Sequence, residues 1–227
     1  MGLQVFSLGL TEAISDSVGE IHRALFAGTA PRFLYHYTAA DKVAGIVQSR
    51  SIWARCINDQ TDPGEISHAA GLVTQAAEQT AQSEPSIFAK DVLRRLPFFM
   101  EERKKWMFIA CFCEDSESAV HWERYGNYCL AFPAPWTGTK ALGILDLRAE
   151  CWYQRVIYNE ERQRNAIEGA IRSVVLALSR NTAGVNEGPW AQAMKDMCAR
   201  NAAQLLLRLA VGFKRDSYAD EREWRIV

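Results

Sequence analysis

The apolar run from Trp106 to Cys113 constrains the fold more than any other stretch of this sequence. An uninterrupted run of this length is typical of a central strand that is buried on both faces. Other short strand-like stretches alternate with longer helical patterns along the chain. The sequence therefore predicts an α+β or mixed α/β domain built around this strand.

Hydrophobic periodicity assigns the remaining elements. Helical spacing predicts helices over residues 11–27, 39–49, 64–83, 86–104, 117–125, 159–180 and 188–211. Stretches rich in β-branched and aromatic residues predict strands over 32–38, 51–56, 128–132, 142–147, 152–158 and the last residues. Thr38 is expected to cap the second helix, with Val43, Ile46 and Val47 facing inward. Gly126 is expected to end the fifth helix.

Size and composition favour one globular domain. The 227 residues have a net charge of −1 and are 48% hydrophobic, which gives an ample core and no general attraction to nucleic acid. We expect residues 1–30 to form an N-terminal helical extension of a main domain over 31–227. No apolar stretch approaches the ~20 residues that span a membrane. The first residues lack a secretion signal, so we expect a cytoplasmic protein without a membrane partner.

The six cysteines are scattered through apolar stretches and are not grouped as metal ligands. Cys111 and Cys113 form a C-x-C motif without a second pair, so the sequence predicts buried thiols in a reducing compartment. The loop from Asn58 to Glu65 offers oxygen atoms but lacks EF-hand spacing, and turn formation accounts for its composition. We expect no metal site.

The C-terminal segment carries two close carboxylates, Glu221 and Glu223. Charged and apolar residues alternate there, so the segment is predicted to be a strand with both glutamates on one face. Like charges on one face repel, and the pair needs cations, hydration or a functional reason. Arg222 and Arg225 offer a structural solution, and an acidic active site offers the other.

Two further groups of residues stand apart from the packing pattern. Tyr35 and Tyr37 should face one side of the first strand and His36 the other. Trp122 and Tyr125 are three residues apart and therefore neighbours on one helical face. Aromatic side chains with polar tips suit flat polar ligands, although a structural histidine and a core-facing aromatic pair are the alternatives.

Taken together, six sequence blocks over residues 33–227 resemble the bacterial DUF2971 family. That family is itself similar to ADP-ribosyltransferases of the diphtheria-toxin and poly(ADP-ribose) polymerase type, which carry a His-Tyr-Glu set. The blocks are Tyr35–Thr38, Ile52–Ala54, Asn58–Glu65, Phe108–Glu114, Trp122–Gly126, and Phe213–Lys214 with Glu221–Ile226. The resemblance implies an α+β fold with an ADP-ribosyltransferase-like split β-sheet core and helical insertions.

The resemblance also implies a reaction, with NAD as co-substrate and no metal. It makes Glu223 the glutamate that binds the nicotinamide-ribose 2′-OH, with Glu221 as the alternative. It implies that NAD is bound by His36 with its neighbours Tyr37 and Thr38. It also implies that Tyr125 is the mid-domain tyrosine and binds NAD together with Trp122. The acceptor is a protein, a nucleic acid or a small molecule, and a bacterial toxin, effector or phage-defence protein is the expected setting.

Departures from the family pattern keep alternatives open. The Tyr-x-x-x-Tyr pairing is unclear, because Tyr125 is followed by Tyr128 at three residues and Trp122 would replace the first aromatic. A catalytically inactive member that binds a nucleotide or a protein is therefore the second hypothesis. A cysteine hydrolase built on Cys111 or Cys113 with His36 or His121 is the third, although an apolar strand raises a thiol pKa.

Overall fold

The sheet is antiparallel and has six strands, with helices packed against it, so the α+β prediction is confirmed. The computed structural model describes residues 2–26, 31–60, 63–133, 153–182 and 188–227. The strands are β1 Phe33–Thr38, β2 Arg55–Cys56, β3 Phe108–Cys113, β4 Tyr128–Pro133, β5 Tyr153–Arg155 and β6 Glu223–Ile226. The predicted strand over 142–147 lies outside the described residues.

The helices follow the predicted periodicity closely. They are α1 Gly2–Leu25, α2 Ala40–Ser49, α3 Pro63–Ser83, α4 Ile87–Lys104, α5 Ala119–Tyr125, α6 Glu160–Asn181 and α7 Pro189–Ala210. All seven predicted helices are confirmed, although α1 begins well before residue 11. Among the described residues, no helix combines the length and the apolar character needed to cross a membrane.

The strand order β4-β1-β3-β6-β5 puts β3 in the middle of the sheet, which confirms the prediction from its apolar run. Alternate side chains of β3 enter two different clusters. Ile109 joins the large core formed with the helices, whereas Ala110 and Phe112 join a smaller cluster with Leu34 and Trp224. Both faces of β3 are covered along most of its length, and this accounts for the absence of polar residues.

The large core is mainly helical, and α1 is part of it. Leu10, Ile14 and Val18 of α1 are each at most 2% exposed and pack with α6 and α7. Burial of one such side chain stabilises the fold by about 1.5–3 kcal/mol. The N-terminal helix therefore contributes directly to the core of the main domain.

The predictions for α2 are wrong in two respects. Its N-cap is Ala39 without a side-chain hydrogen bond, because Thr38 is the last residue of β1 and is buried there. None of its residues is buried, and Val47 is 63% exposed. The inward face predicted from Val43, Ile46 and Val47 is therefore not formed against the described residues.

Two predicted strands are shorter than expected. The strand predicted over 51–56 is limited to Arg55–Cys56, and a 3-10 helix over Ile57–Asp59 occupies the start of the predicted loop. The strand predicted over 152–158 ends at Arg155, and Ile157 then makes an isolated bridge to Phe213.

The prediction that Glu221 and Glu223 share one strand face is wrong. Glu221 ends a 3-10 helix over Asp216–Glu221, and Arg222 takes the left-handed conformation with φ of 44°. The strand begins only at Glu223. The turn at Arg222 places the two glutamates in different elements, so strand alternation does not fix their relative positions. Contacts of their side chains with other residues decide whether the two carboxylates meet.

Gly126 ends α5 as predicted, and the local geometry requires glycine. Its φ is 120°, and a Cβ atom there would lie 2.7 Å from the Thr38 carbonyl oxygen and 2.9 Å from Ala39. We expect Gly126→Ala to lower the free energy of unfolding by about 1–3 kcal/mol or more, because backbone strain and a backbone clash combine. Urea unfolding measures this loss.

Gly45→Ala is the matched control for Gly126→Ala. Gly45 lies inside α2, and a Cβ atom added there meets nothing within 4 Å. This change should stabilise the protein by about 0.5–1 kcal/mol, since alanine is the better helix former. Equal stability of the two variants would contradict the steric account of Gly126.

Candidate functional site

Five buried ionic side chains meet where β6 approaches the helices, and we call them the charge cluster. They are Glu65 at the start of α3, Lys214 after α7, Glu221, Glu223 and Arg225, each at most 8% exposed. Burial of ions is costly unless they pair and form hydrogen bonds. The contacts within the cluster provide both.

Lys214 lies at the centre of the three carboxylates. Its Nζ atom is 2.7 Å from Glu223 Oε2 and 3.2 Å from Glu65 Oε2, and it also donates to Glu221. Burial lowers the pKa of Lys214, but the three carboxylate charges raise it and outweigh burial. Lys214 is therefore a permanent cation, and it brings Glu65 of α3 together with Glu221 and Glu223 near the C-terminal end of the sequence.

Arg225 clamps Glu223 from the other side. Its Nε atom donates to Glu223 Oε1 at 2.8 Å and its Nη2 atom donates to Glu223 Oε2 at 3.1 Å. The same guanidinium donates to Glu65 and to the Val211 carbonyl. A guanidinium fixes carboxylates through several donors at once, so the 1% exposed Arg225 determines the geometry of the cluster.

Glu223 remains ionised despite its burial. Burial raises the pKa of Glu223, but the charges of Arg225 and Lys214 together outweigh it and hold the pKa at about 2. The folded pKa is below the ordinary value of 4.5, so this carboxylate stabilises the fold above pH 4.5. That contribution, on the order of 3 kcal/mol, is lost as the pH falls from 4.5 to about 2.

The outer side of the cluster is formed by Arg124 of α5. Its Nη1 atom donates to Glu221 Oε1 at 2.6 Å, and half of its side chain is exposed. The guanidinium also lies 6.0 Å from the Tyr218 ring centroid. With Arg124 included, three carboxylates face three cations, and Glu221 is the carboxylate that pairs with the half-exposed cation.

A row of rings leads from β1 to the charge cluster. The ring centroids of Trp122 and Tyr37 are 4.8 Å apart, those of Tyr37 and His121 4.9 Å, and those of His121 and Tyr125 5.5 Å. Tyr37 is held in place because its hydroxyl donates to the Asp115 carbonyl at 2.6 Å. We call these four residues the ring row.

Tyr125 is the end of the ring row that faces the cluster. It is 42% exposed, so it offers ring surface to a ligand. Burial raises the pKa of its hydroxyl, and the charge of Glu221 raises it further. Because the neighbouring residue Arg124 pairs with Glu221, the exposed ring of Tyr125 and this buried carboxylate lie in the same part of the structure.

The structure brings together most of the predicted site residues but leaves His36 apart. Tyr35 pairs with Cys113, and Cys113 pairs with Glu223, so these three side chains share one face of the sheet. Tyr37 is two residues from Tyr35 and therefore lies on the same face as Glu223. His36 points to the opposite face, where its ring lies 5.8 Å from Phe112.

His36 has a structural contact instead. Its Nδ1 atom lies 3.0 Å from the Cys111 carbonyl oxygen, and this bond links β1 to β3. Burial lowers the pKa of His36. Thr38, the other predicted binding residue of β1, is buried at the strand end, 5% exposed.

Sequence reasoning missed several members of the site. Glu65 was interpreted as part of a turn, although a buried glutamate two residues into α3 closes the cluster. Lys214 follows the apolar end of α7, and a lone lysine after such a run is a usable signal of a buried cation. Arg222 was expected to neutralise the glutamates, but its side chain is 61% exposed and lies 4.0 Å from Asp115.

Cys111 and Cys113 do not form a reactive centre. Burial raises the pKa of Cys111 well above its ordinary value and that of Cys113 to about 11, so both thiols are neutral at pH 7. The five cysteines in the described residues are free thiols. In the part of the chain that the structure describes, no group of three His, Cys, Asp or Glu residues is placed to hold a metal ion.

Comparisons of the chain with protein-family profiles, curated proteins and solved structures find no match.

Three histidines predict a loss of stability in mild acid. Burial lowers the pKa of His22, His36 and His121 below 6.5. The unfolded chain then binds protons below pH 6.5 that the folded protein does not, so stability falls with pH. The loss should reach at most about 1.4 kcal/mol per histidine for each pH unit.

The midpoint of urea unfolding, measured between pH 7.5 and 5.5, checks this dependence. His36→Gln removes one titrating ring and should reduce the slope by about a third, because three rings contribute. A midpoint that stays constant over this range would show that the burial of these rings does not control stability.

Proposed function

We propose that this protein is an NAD-dependent ADP-ribosyltransferase whose active site lies between the ring row and the charge cluster. The observation that carries the proposal is the position of the half-exposed Tyr125 near the buried Glu221 and the buried, ionised Glu223. The proposal also rests on the resemblance of the sequence blocks to the His-Tyr-Glu transferases. Trp122 would extend the aromatic surface for nicotinamide, and Tyr37, which is 6% exposed, would support the Trp122 ring.

The chemistry needs a fixed negative charge. Cleavage of the bond between nicotinamide and ribose builds positive charge on the sugar, as in glycoside cleavage. A carboxylate that is held in place before the reaction stabilises this charge at no cost of reorganisation. Lys214 and Arg225 hold the two glutamates in place and keep Glu223 ionised.

The geometry favours different roles for the two glutamates. Glu221 is the carboxylate that pairs with the half-exposed Arg124. Burial raises the pKa of Tyr125, and the charge of Glu221 raises it further. Both Glu223 oxygens are bound by Lys214 and Arg225. We propose that Glu221 faces the ribose and that Glu223, which the resemblance assigns to catalysis, positions it through Lys214.

His36 has no place in this proposal. It lies on the sheet face away from Glu223, and we propose that it keeps β1 and β3 at their separation. In support, the backbones of β1 and β3 pair at one position only, Tyr35 with Cys113. Next to this position, the His36 ring forms a hydrogen bond with the Cys111 carbonyl of β3. This opening of the ladder supports an ADP-ribosyltransferase-like split sheet.

Incubation of the purified protein with NAD tests the proposal. Nicotinamide and ADP-ribose should appear over hours with water as acceptor, and faster when a protein, nucleic-acid or small-molecule acceptor is supplied. Chromatography measures both products, and a sample without protein gives the background. The absence of nicotinamide release across all acceptor classes would refute the transferase.

A binding module without turnover is the second candidate function. The observation that favours it is the enclosure of Glu223, which is 3% exposed with both oxygens engaged. Such a protein would bind a nucleotide or a partner protein at the ring row. Calorimetric binding of NAD without any release of nicotinamide would favour this module over the transferase.

A further inference from the structure

His121 is the one member of the ring row whose role is still undefined. It is 7% exposed and lies between Tyr37 and Tyr125, with ring centroids 4.9 and 5.5 Å away. Packing on both sides fixes the ring plane and therefore the directions of its two nitrogens. A histidine held in this way beside a carboxylate cluster has a defined proton-transfer geometry.

The ring nitrogen Nδ1 of His121 faces Ser118. Nδ1 lies 2.8 Å from Ser118 Oγ. We assign the tautomer in which Nδ1 carries the proton and donates it to Ser118 Oγ. A neutral imidazole has one ring proton, so Nε2 carries a lone pair.

This Nε2 atom is open to a ligand. It has no hydrogen-bond partner among the residues that the structure describes. Among the described residues, the buried side-chain polar atoms without a partner are Glu102 Oε2 and Arg103 Nε. His121 Nε2 has no partner and is not buried in this way, so it reaches solvent beside the exposed ring of Tyr125.

Charged groups from four parts of the chain act on His121. Burial lowers the pKa of His121 most, and the positive charges of Lys214 and Arg124 also lower it. The negative charges of Glu223 and Asp115 raise the pKa, but the net effect is a value below 6.5. The imidazole is therefore neutral at pH 7 and able to accept a proton.

We propose that His121 is the general base of the transfer step and that the acceptor attacks through a hydroxyl group. This inference rests on the proposed function. The acceptor oxygen forms a bond to C1′ of the ribose, and the bond from C1′ to the nicotinamide nitrogen breaks. The bond pair leaves with neutral nicotinamide, and the hydroxyl proton moves to Nε2. His121 would accelerate attack by hydroxyl acceptors, with water as the simplest. Carboxylate and phosphate acceptors carry no such proton and would gain nothing from a base.

His121→Asn tests the proposal because asparagine keeps a donor near Nδ1 and removes Nε2. With NAD as substrate and water as acceptor, kcat/KM for nicotinamide release should fall roughly 10²–10⁴-fold. Wild-type kcat/KM should also fall as the pH drops below 6.5, and His121→Asn should lose this dependence. His121→Gln, with an amide near Nε2 but no base, should be equally slow. Glu123→Gln, an exposed change on the same helix, should keep the wild-type rate and pH profile.

Two failures can be told apart. If the wild-type protein releases nicotinamide and His121→Asn retains its rate and pH profile, this inference is wrong and the proposed function stands. If the wild-type protein releases none, the proposed function fails and this inference fails with it. Thermal unfolding of each variant shows whether a lost rate reflects a lost fold, and His121→Gln then replaces a variant that does not fold.

Discussion

Replacement of Arg225 by methionine should lower the free energy of unfolding by about 3–5 kcal/mol, the usual cost of breaking a buried ion pair by removing one partner. Methionine fills a similar stem volume, so the loss comes from charge and hydrogen bonds. Glu223 and Glu65 would remain buried with Lys214 as their main cation. The midpoint and slope of urea unfolding measure the change.

Arg222→Met is the matched control for this result. It removes a guanidinium three residues earlier, but the Arg222 side chain is 61% exposed and makes only a distant pair with Asp115. Its effect should stay within about 0.5 kcal/mol. Arg225→Lys should be intermediate, since it keeps the charge but loses the fork of donors. A loss below about 1 kcal/mol for Arg225→Met would mean that the cluster does not depend on this pairing.

Replacement of Glu221 by glutamine should reduce nicotinamide release from NAD roughly 10²–10³-fold, the range found when one electrostatic stabiliser of a transition state is removed. Glutamine keeps the shape and a donor and acceptor but removes the charge beside Tyr125. The loss should appear in kcat more than in KM, because the ribosyl charge develops only in the transition state. Single-turnover kinetics at a temperature where the variant is folded measure it.

Glu223→Gln separates the two glutamates. If Glu223 positions Glu221 through Lys214, its loss should reduce stability more and the rate less than Glu221→Gln does. Glu123→Gln on the exposed face of α5 controls for the change in net charge. Full activity in both Glu221→Gln and Glu223→Gln would exclude an electrostatic role for either carboxylate, and a larger rate loss in Glu223→Gln would reverse the assignment.

The elements of the fold were predictable because their signals are local. The apolar run of β3 identified the central strand, and helical spacing located all seven helices. The failures were also local. The left-handed residue Arg222 interrupts an alternation that otherwise predicts a strand through Glu221. Thr38 matched an N-cap pattern, yet β1 pairing extends to it and leaves the cap to Ala39.

The sequence by itself determined the positions of the helices and of the central strand, the face of β1 on which Tyr37 lies, and the need for cations near Glu223. Only the tertiary structure decided which cations meet that need and which histidine lies beside them. Lys214 and Glu65 are distant in sequence from each other and meet because α3 packs against α7, just before Lys214. Periodicity reports which face a side chain takes, whereas pairing of buried charges depends on contacts between elements, and no local pattern specifies those.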